Sequence, residues 1–303
     1  MARNEIREHF KKLCVEANHT LTRSEYRKLN NIPEYSSSKI EALWGTWKAF
    51  VSDVSSTINF NRFSIKKVVD KNTTNLVITS VVDGSDINFS CFNTLLTYCQ
   101  EEKCKLYILW GKTTKPNAHF SKDEYEILEE YLVTDLTFQK DPKCKAVDLL
   151  IPITAKNPLM NLDKLSKGLN TIIVGSPKQY LDTLPHDNSD VYKIAVSTGT
   201  ISESDYKPCV AGLLDEQNHT LGGLRLEWND RAKRYNVRQL QYKNGYMYDI
   251  TGKCYSESEV VAKGNVVDCM VLGDLHFPET DFDALDRTIE QINVLKPKEV
   301  MIH

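Results

Sequence analysis

A chain of 303 residues, 41% hydrophobic and 26% charged, exceeds the usual size of a single core and predicts two or three domains with an ordinary globular interior. Its net charge of −3 excludes a globally basic nucleic-acid binder, so any such binding has to come from a local patch. The opening MARNEIREHFKK lacks an apolar signal core and no apolar run approaches bilayer length, which leads us to expect an unexported cytoplasmic chain with no membrane-spanning segment. The eight cysteines include no Cys-x-x-Cys pair, which speaks against a disulfide framework or a zinc ribbon.

Residues 1–56 read as short helices. Ile6, Phe10, Leu13, Cys14 and Ala17 recur at helical spacing. Thr22 with Glu25, and Ser38 with Glu41, fit capping boxes, and Thr46 can cap a last helix. Trp44, Trp47 and Phe50 supply a small aromatic core, as a helix-turn-helix module requires.

The words LTRSEYRKL (21–29) and YSSSKIEALWGTWKAF (35–50) resemble the DNA-binding repeat that accompanies phage homing endonucleases, with its Thr-Arg-x-x-Tyr, Ser-x-x-x-Ile and Gly-Ser/Thr-Trp pattern. The resemblance implies that a helix from about Ser37 to Trp44 lies against DNA. Arg23, Arg27, Lys28 and Lys39 would then be phosphate contacts that position rather than specify. A solvated basic face on a helical packing module is the plainer alternative.

Residues 57–265 alternate strands and helices. LVITSVV (76–82) predicts a strand, 89–100 a helix, KLYILW (105–110) a strand and 121–132 a helix, which together suggest βαβ wiring. VDLLIPI, TIIVGS and KIAVSTG read as further strands. LGGLRLEW against YNVRQLQY predicts a hairpin, and Asn244-Gly245 a turn. Asp83 to Asp86 reads as a plain βα turn, and His119, His186 and His219 as isolated histidines. Gly222-Gly223 is expected to relieve a hairpin rather than cradle phosphate.

The last stretch carries the chemistry. VVDCMVL (266–272) predicts a buried strand closed by Gly273, with Asp274 and His276 at its carboxyl end. Asp281 can cap a helix whose apolar positions are Phe282, Leu285, Ile289, Ile292 and Leu295. Glu299 to Ile302 then begins a second strand. Such a βαβ unit leaves its strands parallel, with their carboxyl ends on one edge, where open α/β sheets place their ligands. A carboxylate oxygen and an imidazole nitrogen two residues apart suit manganese, iron or zinc better than calcium. Glu279, Asp281 and Asp283 are better explained as loop and helix-start carboxylates than as ligands.

VLGDLH (271–276) resembles the first signature of the calcineurin-like metallophosphoesterases. The resemblance implies a two-metal site of manganese, or alternatively magnesium, iron or zinc, in which Asp274 and His276 bind one ion. The superfamily's second signature follows a strand that here reads EVMIH, and its later signatures are missing. The reading is therefore of an amino-terminal fragment or truncated product, inactive alone. The fold class expected is α/β: an all-α helix-turn-helix module at 1–56, a mixed α/β middle at 57–265 of unknown role, and the first βαβ unit of a metallophosphoesterase sandwich at 266–303.

The repeat, the words VGSPKQYL and VSTGT, and GDLHFPETD with LKPKEVMIH together resemble a family of large phage proteins carrying a metallophosphoesterase domain. Within that family the resemblance extends to pre-early proteins of T-five-like coliphages that degrade host DNA and assist DNA transfer. That resemblance implies a metal-dependent DNA nuclease in the host bacterial cytoplasm, with DNA, further copies of itself and other early proteins as partners. The alternatives are a non-enzymatic DNA-binding host-takeover protein and a small-nucleotide phosphatase.

Overall fold

The computed structural model describes residues 2–16, 21, 23–55, 65–82, 84–111, 122–149, 151–185, 192–261, 265–273 and 279–302. The chain is of α/β class with an amino-terminal helical module. Among the described residues no helix is long and apolar enough to cross a membrane.

The helical module consists of α1 (Ala2–Glu16), α2 (Arg23–Leu29), a 3-10 turn at Pro33–Tyr35, α3 (Ser37–Trp44) and α4 (Trp47–Ser55). Ile6, Phe10 and Cys14 form the buried stripe of α1 and meet Tyr26, Ile40, Phe50 and Val54. Phe10 and Phe50 pack edge to face at 4.8 Å between ring centroids, and Trp47 packs on Tyr26 at 5.3 Å. Such ring pairs add about 0.5–1.5 kcal/mol each beyond their burial. Each member of Gly45-Thr46-Trp47 has a physical task. Gly45, at φ 82°, ends α3 in a left-handed conformation that a side chain would strain. Thr46 Oγ1 accepts from Ala49 N at 3.0 Å and caps α4. Trp47 then enters the core. The Ser38–Glu41 box does not form as expected: the cap position falls two residues earlier, at Ser36, whose side chain makes no capping hydrogen bond. Thr22 and Ala17 lie outside the described residues.

The middle region follows as β1 (Lys66–Val69), β2 (Asn75–Val82), α5 (Phe89–Glu101), β3 (Lys105–Gly111), α6 (Lys122–Leu128), β4 (Leu132–Val133), β5 (Asp135–Phe138) and β6 (Cys144–Val147). After them come β7 (Thr171–Val174), β8 (Leu181–Thr183), β9 (Ile194–Ser197), α7 (Val210–Gln217), β10 (Gly222–Asn229), β11 (Arg234–Lys243), β12 (Tyr246–Tyr248), β13 (Cys254–Tyr255) and β14 (Val260–Val261). They build a six-stranded sheet, ordered β1-β5-β6-β7-β9-β8, and an eight-stranded sheet, ordered β14-β13-β12-β11-β10-β2-β3-β4.

The two sheets share a core. Leu76 and Ile78 of β2, Leu109 of β3, and Leu224 and Leu226 of β10 meet Leu136, Phe138, Ala146, Ile173 and Val196 of the smaller sheet. Residues one step along β2 and β3, Val77, Val81, Leu106 and Ile108, face the other way and are covered by Phe92, Leu95 and Tyr98 of α5 and Leu128 of α6. Because β2 is covered on both faces, its burial is nearly continuous rather than alternating. Each fully buried Leu or Ile there contributes roughly 1.5–3 kcal/mol of transfer free energy.

The predicted β2-α5-β3 unit is present with parallel strands, and the β10–β11 hairpin pairs Leu224 with Gln239. Asn244 and Gly245, both at positive φ, make the turn into β12. Two expectations are corrected. The helix predicted to reach 132 stops at Leu128, because Leu132 and Val133 are buried as β4 beside β3. VDLLIPI is not a strand: pairing ends at Val147, and the following loop lays Leu159 and Leu162 over the outer face of β7 and β9.

The final unit is β15 (Cys269–Leu272), α8 (Phe282–Leu295) and β16 (Glu299–Ile302). The strand is shorter than the predicted 266–272, and its exposure alternates instead of being buried. β15 and β16 are parallel, in a register that aligns Leu272 with Ile302. α8 has no buried residue, and Val271, Phe282, Ile289 and Ile302 are exposed. Val294 nevertheless approaches Gly252, and Asn265 Nδ2 donates to the Asp249 carbonyl at 2.8 Å, which seats this unit against the end of the eight-stranded sheet.

Candidate functional site

Two places carry functional residues predicted from the sequence: the carboxyl edge of the β15–β16 pair and the α2–α3 face of the helical module.

At the sheet edge the described chain reaches Gly273 and resumes at residue 279, so Asp274 and His276 lie outside the described residues, as does His303. The frame around them is clear. β15 delivers the chain to Gly273 directly before Asp274, and the partner strand ends alongside at Ile302. Asp281 caps α8, its Oδ1 accepting from Ala284 N at 3.2 Å, and Asp283 accepts from Arg231 Nη1 at 2.8 Å. Asp281 therefore serves as the expected helix cap, and Asp283 is held in an ion pair. Among the described residues no group of three or more His, Cys, Asp or Glu is arranged to hold a metal ion.

On the helical face the four basic residues are dispersed. Arg23 is tied to Glu41 across α2 and α3 at 2.5 Å. Arg27 Nε donates to Ser37 Oγ at 2.8 Å and lines a cleft of about 380 Å³ with Asn30, Asn31, Ser36 and Ser38. Lys28 and Lys39 are exposed, and Lys39 lines a different cleft together with Glu5 and Glu34. The structure thus brings Arg27 to the amino-terminal end of α3 and directs Arg23 to an intramolecular pair. The first 56 residues hold nine Lys and Arg against seven Asp and Glu, so this module is slightly basic in an acidic chain. Arg7 binds Asp53 at 2.6 Å, and Trp44 Nε1 donates to the same carboxylate at 2.7 Å. These hydrogen bonds hold the Asp53 carboxyl below its ordinary value.

Sequence reading missed the buried charges. Lys178 Nζ, within VGSPKQYL, donates to Asp215 Oδ1 and to the Ala155 carbonyl, each at 2.7 Å, with both side chains nearly inaccessible. Arg225 is buried and donates to Tyr98 Oη, Cys104 Sγ and Asn75 Oδ1. Burial, the largest influence, pushes the Cys104 thiol up to about 11 despite the neighbouring arginine. A basic residue inside an apolar strand, such as Arg225 in LGGLRLEW, was the signal available. His119, His186 and Asp83 lie outside the described residues. His219 is half-buried rather than isolated, between Tyr206 Oη and the Ser202 carbonyl.

Fold and site together describe an α/β chain with an amino-terminal helical module, two packed sheets and a terminal βαβ unit. The chain is similar to Protein A1 of Escherichia phage T5, at 25% identity over 160 residues that cover 50% of this chain and 28% of that protein. The aligned stretch is thus well under two thirds of that relative's length. No protein-family model matches the chain, and no solved structure matches it.

Proposed function

We propose that the chain is part of a phage metal-dependent phosphodiesterase acting on DNA, serving host-DNA degradation and phage DNA transfer. In this reading the helical module at 1–56 holds DNA, and a metallophosphoesterase domain beginning at 266 cuts it. One observation carries the reading: a parallel, in-register βαβ unit whose first strand opens directly onto Gly-Asp-Leu-His. The similarity to a phage T5 protein supports it. So does the exposed apolar face of the unit, because a two-stranded parallel pair with one helix cannot bury its own apolar surface.

Asp274 and His276 are the proposed ligands, and their oxygen and nitrogen donors fit manganese, magnesium, iron or zinc. A divalent ion bound there supplies Lewis acidity at the scissile phosphate. The chain's own part is to hold the carboxylate and the imidazole at a sheet margin and to position DNA. Arg27 and the uncapped first turn of α3 suit a backbone phosphate, since helix amino termini present unpaired N–H groups. Lys28 and Lys39 add exposed charge, and Arg23 steadies the helix pair.

The test is manganese-dependent cleavage by the full-length gene product, comparing plasmid DNA with a chromogenic phosphate monoester, for wild type and Asp274→Ala. Plasmid cutting lost in the variant, with DNA binding retained, is expected. Hydrolysis of the monoester alone would make the protein a phosphatase, and binding without any hydrolysis would make it a host-takeover DNA binder.

A further inference from the structure

A second basic feature lies outside the helical module. The turn between β5 and β6 and the turn between β10 and β11 come together at one end of the two packed sheets, where Tyr235 packs edge to face on Trp228 at 5.2 Å and at a tilt on Phe138 at 5.4 Å. Between them is an open groove of about 440 Å³. Four of its lining residues are cations, Lys140, Lys143, Lys233 and Arg234, against one acid, Asp141.

That acid is directed inward. Asp141 is buried and accepts from the main-chain amide of Tyr235 at 3.4 Å. Two of the cations lie against rings, which leave their charge in place. Lys140 Nζ lies 4.6 Å from the Trp228 ring centroid, and the Arg234 guanidinium lies 3.3 Å from that of Tyr192. Arg234 Nε is enclosed and has no hydrogen-bond partner among the described residues. Among the described residues, Lys233 makes a long contact to Asp230, at 3.8 Å and largely in solvent. The remaining cation of the same turn, Arg231, reaches Asp283 in the first turn of α8. α8 is the helix entered directly after the segment that holds Asp274 and His276.

We infer that this groove binds the phosphodiester backbone of DNA and leads it toward the β15–β16 edge. The inference rests on the proposed nuclease reading and adds a second contact surface to it. A polyanion satisfies cations on two separate turns at once. Clustered Lys and Arg that neutralise successive phosphates are what sequence-independent binding of a duplex backbone requires.

The 303-residue chain is titrated with a labelled oligonucleotide duplex over a salt series, as wild type and as Lys143→Gln/Lys233→Gln/Arg234→Gln. Loss of three phosphate contacts lowers the slope of log affinity against log salt by about 2–3. Inorganic phosphate at matched concentration does not displace the duplex. The charge-retaining Lys143→Arg/Lys233→Arg/Arg234→Lys variant keeps the wild-type slope. An unchanged slope in the neutralised variant, with wild-type circular dichroism, overturns the inference. So does full displacement by phosphate, or equal loss in the charge-retaining variant. Arg27→Ala/Lys39→Ala is measured alongside. Loss there with an unaffected groove variant removes the groove and leaves the helical reading standing, and the reverse pattern removes the helical contact and supports the groove.

Discussion

Arg238 and Asp249 are joined by two parallel hydrogen bonds, Nε to Oδ1 at 2.7 Å and Nη2 to Oδ2 at 3.0 Å, and Tyr98 Oη donates to the same Oδ2 at 2.6 Å. The Asp249 side chain is inaccessible to solvent. Burial by itself would raise its carboxyl, but the hydrogen bonds and charge of Arg238 outweigh it and hold the group below its ordinary value. The network ties β11 to α5, and the carbonyl of the same aspartate receives Asn265 at the entrance to the βαβ unit. Among the described residues, Asp249→Ala leaves Arg238 with Glu227 alone as ion partner, and it is expected to cost about 3–5 kcal/mol. The urea midpoint reads this loss, and a change below about 1 kcal/mol would show that the pair is dispensable.

Gly222 begins β10 at φ 147°, and a Cβ there would stand 2.1 Å from the Leu240 carbonyl oxygen on the paired strand. Gly222→Ala therefore opens the β10–β11 ladder and should destabilise the chain by roughly 3 kcal/mol through backbone strain and overlap. Gly245→Ala, with nothing within 4 Å of its Cβ position, pays only for positive φ and should cost about 1 kcal/mol. Equal midpoints for the two variants would contradict this difference.

The chain should lose stability on acidification, in two windows. Burial, the largest influence, lowers the His219 pKa from its ordinary 6.5. The network assigns its proton to Nε2, which donates to the Ser202 carbonyl at 2.8 Å, while Nδ1 accepts from Tyr206 Oη at 3.1 Å. Below pH 6.5 the unfolded chain takes up a proton that the folded chain refuses, so stability falls as pH drops. Asp249, depressed below 3.8, contributes stability that is present above that value and lost as pH falls through its folded pKa. Urea midpoints across this range should decline toward acid, and His219→Gln should flatten the upper window. A midpoint that rises on acidification would reverse the assignment.

Thr46→Ala removes the cap of α4 and should cost the helical module about 1 kcal/mol, with Thr46→Ser close to wild type. Thermal melting followed by tryptophan fluorescence reports it directly, because Trp44 and Trp47 pack on Phe50 in that core. An unaltered transition in the alanine variant would mean that α4 is held by packing alone.

Local chemistry was enough to read several elements from the sequence. The Asp281 cap, the apolar spacing of α8 and the Asn244-Gly245 turn depend on residues close in the chain, and they appear where they were expected. The same holds for the β10–β11 hairpin and for β2-α5-β3. Periodicity misjudged Glu129 to Leu132, which continue a helical pattern yet leave it because β3 offers Leu132 strand pairing and burial.

Of the proposed ligands, Asp274 and His276 were legible as a word following a strand, since a βαβ unit fixes where such a strand ends. Tertiary packing decided what no local pattern contains. It set two sheets face to face, because apolar residues on both faces of β2 have to be covered. It placed Lys178 against Asp215 across 37 residues, and it gathered Lys140, Lys143, Lys233 and Arg234 from two distant turns into one groove. Charges so far apart in sequence come together only when burial of the strands between them fixes the ends of both sheets, and that depends on long-range burial that local propensity does not encode.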